Sequence, residues 1–224
     1  MNALAIEGLR KRFVRHLQDA RELSVLEGVD LELQAGTCTV LRGASGSGKS
    51  SLLRCVYRTY RPDAGSIVLR YDGQSIDLAT ADDRAVLSAR RRLVALATQF
   101  LQITPRVGAV DLVAQEGLER EPAAELLRSL GLADELLEIA PATFSGGERQ
   151  IVNLAITLAR PRPLLLLDEV TASLDPTRRA LALRALSARR DAGGTLLAVF
   201  HDPPDHPGLV DRVLEMRAGR LVSA

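Results

Sequence analysis

Tryptophan is absent from this sequence, aromatic residues make up only 3% of it, and it contains two cysteines, two methionines and three histidines. Two cysteines cannot build a disulfide framework. Cys38 falls on an expected strand and Cys55 on an expected helix, where small buried thiols fit better than a metal cluster, and no metal-ligand spacing appears. Charge of one sign is also missing, since the net charge is +1, so no global field draws the chain to nucleic acid or anionic lipid and any partner must be recognised locally. No apolar run approaches the roughly 20 residues of a membrane-spanning helix, and the N-terminus lacks the apolar segment of a secretory signal. These absences lead us to expect a soluble, cytoplasmic chain with no direct membrane insertion and no nucleic-acid partner. Lysine is nearly missing too: Lys11 and Lys49 are the only two, every other basic side chain being arginine.

What is present is a length of 224 residues with 46% apolar side chains, enough for one large domain or for a core with an added lobe. Lys49 sits in Gly43-Ala44-Ser45-Gly46-Ser47-Gly48-Lys49-Ser50, a full match to the phosphate-loop pattern. The strand-like Thr37 to Leu41 precedes it and a helix start, Ser51 to Tyr57, follows. The glycines let the backbone fold tightly and aim its N–H groups inward, so that loop and helix N-terminus form a cup for phosphate oxygens. In such a loop Lys49 reaches the β and γ phosphates of a nucleotide and the Ser50 hydroxyl lies on Mg2+. A flexible glycine-serine linker has no need of a Lys-Ser pair between a strand and a helix.

Along the chain, Ala3 to Leu9 alternates weakly and fits an edge strand, and a polar stretch from Lys11 to Glu22 leads into the alternating Val29 to Leu33. Ile67 to Leu69 is strand-like after an Asp63-Ala64-Gly65 turn. Ala85 to Arg92 fits a helix and Val94 to Ala97 a short buried strand. From Val110 to Leu137 apolar residues recur at helical spacing, broken at Glu121-Pro122 and Gly131. Ser145 opens a helix running to about Leu158, Leu164 to Leu167 is a central strand, Thr177 to Arg190 a helix and Thr195 to Phe200 a strand. This order predicts an α/β fold with a parallel core and an inserted helical lobe. The expected division of the 224 residues is a core of about 1–90 and 158–224 with a lobe of about 100–157.

Two more segments carry chemistry. Leu164 to Leu167 delivers Asp168 and Glu169 at the C-terminal end of a buried strand, where ligands of open α/β sheets bind. Asp168 suits Mg2+, and Glu169 is the candidate general base for an attacking water. Taken alone, such a pair is common at a surface turn; with the phosphate loop it points to hydrolysis. Phe144-Ser145-Gly146-Gly147-Glu148 contains a Ser-x-x-Glu capping box, and a capped helix start with two glycines is also an anion site. One face of the nucleotide is already enclosed by the phosphate loop, so this second site makes most sense closing over ATP held by a neighbouring protomer.

With the loop at Gly43 to Ser50 as Walker A, Phe144 to Glu148 as signature, Leu164 to Glu169 as Walker B, Ser173-Leu174-Asp175 as D-loop and a histidine at His201, the chain resembles an ABC-type ATP-binding subunit over nearly its whole length. The resemblance implies a P-loop NTPase core of the RecA-like kind, N-terminal antiparallel strands, and a head-to-tail dimer with two ATPs between Walker A of one protomer and the signature of the other. It implies ATP and Mg2+ as ligands. Phe13 would stack on adenine, Ser51 would join the Walker A contacts, Gln99 would sense Mg2+ or the attacking water, His201 would contact the γ-phosphate, and Asp175 of the D-loop would join the nucleotide-binding residues.

A narrower resemblance runs through Gln99 to Val107 with Ala109-Val110-Asp111, through Ile76-Asp77-Leu78 with Arg84 to Leu87, and through Pro141 to Glu148. These segments are similar to the L-subunit family of the bacterial phosphonate carbon–phosphorus lyase system. That likeness implies a core complex with a sister ABC subunit K, or a homotypic dimer, and association with the synthesis of α-D-ribose 1-methylphosphonate 5-triphosphate. The alternatives are the motor of an ABC transporter such as a lipoprotein-releasing or macrolide-type exporter, and a nucleotide-gated assembly module with little hydrolysis. Departures from the common pattern are Glu148 in place of Gln, Ile151 and Ile156 in place of arginines, and Val170 in place of Pro; they are expected to weaken contacts on the signature side.

Overall fold

The computed structural model describes residues 2–15, 21–98, 106–200 and 208–222. Strands β1 (Asn2–Arg15) and β2 (Arg21–Gln34) pair antiparallel, and β4 (Ala64–Tyr71) and β5 (Gln74–Asp77) complete a four-stranded antiparallel sheet in the order β2-β1-β4-β5. A six-stranded sheet has the order β10-β9-β3-β8-β7-β6, built from β3 (Cys38–Arg42), β6 (Val94–Ala97), β7 (Leu164–Asp168), β8 (Thr195–Val199), β9 (Arg212–Arg217) and β10 (Arg220–Val222). Its pairs are parallel except for the β9–β10 hairpin. The α/β class, the parallel core and the antiparallel N-terminal strands are therefore present as expected.

The run of four leucines in β7 is explained by burial on both faces, the pattern of a central parallel strand. Leu165 and Leu167 enter one buried cluster, shared with α5 (Gly146–Ala159) and α6 (Pro176–Asp191), while Leu164 and Leu166 enter the other, beneath α1 (Lys49–Val56) and the four-stranded sheet. Leu196 and Ala198 of β8 divide from Leu197 and Val199 in the same way. Burial on both faces fixes the register of β7, which ends at Asp168 with Glu169 directly after it.

Helices α3 (Ala109–Ala114), α4 (Arg120–Ser129) and α5 pack on one another. The expected interruption at Glu121-Pro122 lies a few residues earlier: α4 already includes Pro122 in its first turn, where a missing N–H costs nothing. Gly131, at φ 90°, lies just beyond the end of α4 as expected. Ala3 to Leu9 is not an edge strand, because β1 is flanked by β2 and β4; a residue pattern that alternates weakly does not reveal how many neighbours a strand has. The polar stretch from Lys11 belongs largely to the two long arms of the β1–β2 hairpin. Helix α2 (Asp83–Arg92) starts two residues before its expected first residue, capped by the Asp82 carboxylate, which accepts from Ala85 N at 2.7 Å. Among the described residues no helix is long and apolar enough to cross a membrane.

Candidate active site

The phosphate loop lies between the C-terminal end of β3 and the start of α1. Gly48, at φ 111°, is the N-cap of α1 and offers no side-chain cap, so the first N–H groups of that helix stay open toward the loop. Close approach enforces glycine at two positions. A Cβ on Gly43 would stand 2.1 Å from the Met216 carbonyl oxygen, and one on Gly48 would stand 2.8 Å from that of Val25. The loop is thus pressed against β9 and β2. It is also tied to the β9–β10 turn, where Gly219 N donates to Ser47 O at 3.0 Å and Gly219 O accepts from Glu27 N at 2.9 Å.

Lys49 folds back over this loop, its Nζ donating to Gly43 O at 2.7 Å and Ala44 O at 2.9 Å. Ser50 Oγ donates to Asp168 Oδ1 at 2.9 Å, which joins the loop to the end of β7. Asp168 is buried, and burial pushes its carboxyl above the usual range against the pull of the Ser50 hydrogen bond and of the nearby Arg54 and Lys49 charges. Glu169 takes a left-handed backbone at φ 54°, rare outside glycine and asparagine, and is held there by its N–H donating to Val199 O at 2.9 Å. The Ser47 hydroxyl is buried with no hydrogen-bond partner. A preformed cup with an unsatisfied donor and free helix N–H groups is suited to phosphate.

A cavity of about 600 Å3 opens here, and Gly43, Ser45, Gly46, Gly48, Lys49, Ser50, Ser51 and Glu169 share its wall with Leu23, Val25 and Phe200. The last three were not foreseen from the sequence. Phe13, expected against a base, is half-buried with its ring edge-on to Tyr60 at 5.0 Å and Lys11 Nζ 5.3 Å from its centre. Leu23, its cross-strand partner, lines the cavity instead. Gln99 and His201 lie outside the described residues.

Ser145, Gly146, Gly147 and Glu148 do not line that cavity. They open α5 with both halves of the expected capping box: Glu148 N donates to Ser145 Oγ at 3.3 Å, and Ser145 N donates to Glu148 Oε2 at 2.8 Å. The bonds from Ser145, side chain and backbone, hold the Glu148 carboxyl below its ordinary range, aided by the Arg178 charge. Asp175 is the N-cap of α6, accepting from Arg178 N at 2.9 Å. The signature and D-loop segments touch, since a Cβ on Gly147 would stand 2.9 Å from Ser173 O. Ile151 and Val170 are buried in the cluster under α5, and Ile156 packs against it. These three departures therefore add apolar contact inside the fold. Arg178 was also missed; nothing in its spacing marks it off from the many arginines of α6.

An ordered pair of oxygen donors, Ser50 and Asp168, suits a hard cation held by few protein ligands and by the substrate's own phosphates. Among the described residues no group of three or more His, Cys, Asp or Glu side chains could hold a metal ion.

Residues 26–172 match the family model described as ABC transporter. The chain is 37% identical to the lipoprotein-releasing system ATP-binding protein LolD of Maricaulis maris over 97% of its length and 95% of that protein's. It is 33% identical to the macrolide export ATP-binding/permease protein MacB of Nitrosomonas europaea over 98% of its own length, which spans 33% of MacB. Among solved structures, the ATP-binding cassette MJ0796, in a dimeric post-hydrolysis state with ADP and Pi, superposes with a TM-score of 0.85 at 22% identity, covering 98% of this chain and 97% of that one. The likeness to MJ0796 establishes the fold.

Proposed function

We propose that this chain, which belongs to the ABC transporter ATP-binding family, is the ATP-hydrolysing motor of a transporter of the lipoprotein-releasing or macrolide-export kind, acting at the cytoplasmic side as an ATP-sandwiching dimer. The observation that carries the chemistry is the convergence of Lys49, Ser50 and Glu169 on one cavity, with the buried Asp168 bonded to Ser50 behind its wall. The loop N–H groups, Ser51 and Lys49 bind the β and γ phosphates of ATP. Ser50 and Asp168 are the residues that would hold Mg2+, with Gln99 as a further ligand by family resemblance; when bound, the ion neutralises charge on the phosphate oxygens. Glu169, fixed in an unusual backbone conformation, orients the attacking water, with His201 at the γ-phosphate. Leu23 and Val25 supply the apolar wall nearest the base, and Phe13 pairs with Leu23 across the hairpin. Ser145 to Glu148 and Asp175 complete the site of a second protomer.

A second reading is favoured by the segments Gln99 to Asp111 and Pro141 to Glu148, which resemble the L subunit of the phosphonate carbon–phosphorus lyase system. In that case the partner is subunit K or the lyase core complex, and the chain is an accessory of α-D-ribose 1-methylphosphonate 5-triphosphate synthesis. The transporter reading stands first because relatives at 33–37% identity over nearly the whole chain are described as lipoprotein-releasing and macrolide-export proteins, and others as import or amino-acid transport ATP-binding proteins. Affinity capture of the tagged chain with Mg2+ and a slowly hydrolysed ATP analogue decides between them. An integral membrane permease is the expected companion; phosphonate-processing subunits in its place overturn the first reading. Absence of Mg2+-dependent ATP hydrolysis both by the chain and by its captured complex overturns both.

A further inference from the structure

Arg178 stands where three segments meet. Its Nη2 lies 3.9 Å from Glu148 Oε1 in the signature turn, and its Nε lies 3.5 Å from Asp175 Oδ2 at the cap of α6. Its Cγ stands 3.3 Å from where a Cβ on Gly131 would be, and its Nη1 is 3.9 Å from the corresponding point on Gly147. All three ionic groups are partly exposed, so the isolated pair adds little to folding stability. Its location gives it a different use.

The signature turn presents the Ser145 hydroxyl and the N–H groups of Gly146 and Gly147 at a helix start, with nothing near Gly146. Glu148 adds a full negative charge to that turn. A carboxylate within one turn of a phosphate-binding surface repels the ligand, whereas a neutral amide at the same place does not. A guanidinium held between Glu148 and Asp175 offsets part of the charge of the first and links the signature to the D-loop.

We propose that Arg178 is a positioning residue of the signature half-site: by offsetting the charge of Glu148 and linking it to Asp175, it lets this turn accept the terminal phosphate of ATP held on a second copy of the chain. The inference rests on the pairing proposed above. Arg178 touches no nucleotide itself and acts through Glu148.

The test uses the full chain carrying Glu169→Gln, so that hydrolysis does not drain the complex, and measures MgATP-dependent dimerisation by light scattering over a range of ATP concentrations. Arg178→Met keeps the aliphatic stem over Gly131 and is expected to raise the ATP concentration for half-maximal dimerisation by about tenfold, as like charge is left facing like charge. Adding Glu148→Gln to Arg178→Met should restore it to within about threefold, and Arg178→Lys should retain most of it. A double variant as weak as Arg178→Met alone overturns the proposal, because a packing role would not be rescued by removing a charge elsewhere. A Glu169→Gln chain that stays monomeric at saturating MgATP overturns the pairing itself, and the role of Arg178 with it.

Discussion

Ser50 donates its hydroxyl to Asp168 across 118 residues of sequence, at 2.9 Å. The bond joins the start of α1 to the end of β7, so the two oxygens are held at one point before any cation arrives. Ser50→Ala and Asp168→Asn are expected to weaken Mg2+-dependent ATP turnover at least about 10- to 100-fold, in line with losses seen when metal sites are disturbed. Binding of ATP without Mg2+ should be little changed. Titration of turnover with Mg2+, alongside metal-free nucleotide binding, checks this.

Glu169 combines its proposed chemical role with an unfavourable backbone, φ 54°. Replacing it with Gln should lower hydrolysis by roughly 10²- to 10⁴-fold while leaving ATP binding intact. Replacing it with Gly should cost at least as much activity yet raise unfolding free energy by about 0.5–1 kcal/mol, because glycine adopts this conformation without strain. Chemical denaturation of the two variants separates strain from function: a destabilised Glu169→Gly chain would contradict the strain argument.

Ser145→Ala removes one half of the capping box and should cost about 1 kcal/mol of stability. The Glu148 carboxyl is held below its usual range, so its contribution is complete above the unfolded value near pH 4.3 and is lost as pH falls through the lower folded value. Denaturation of wild type and Glu148→Gln from pH 7 down to pH 3 should therefore show the wild type losing stability relative to the variant only in the acid part of that range.

Cys38 and Cys55 are both fully buried, and burial is the main cause that pushes each thiol up to about 12. Neither forms thiolate at pH 8, so a disulfide reagent should label the native chain only as fast as it unfolds. Two thiols should then appear together in denaturant.

The parts of the site made from contiguous residues were legible in the sequence. Gly43 to Ser50, Ser145 to Glu148 and Leu164 to Glu169 each state their local geometry through glycine spacing, a cap or an apolar run, and the Ser145 box formed as written. What could not be read was supplied from a distance. Leu23 reaches the cavity through the hairpin register that pairs it with Phe13, and that register includes bulges no alternation reveals. Arg178 matters through Glu148, 30 positions away, and β9 and β10 carry mixed polar and apolar residues that give no strong strand pattern. The interior position of β1 was likewise set by β4, a partner more than 50 residues downstream.

The contact between Gly43 and the Met216 carbonyl, with Gly219 N on Ser47 O, sets an order of events during synthesis. The residues of the phosphate-loop motif leave the ribosome early, but the backbone that braces them into shape is made some 170 residues later. A nascent chain lacking residues 212–222 carries the complete phosphate-loop motif and still has no finished cup. On the proposed function, nucleotide capture therefore requires that the chain has been made through β9 and β10.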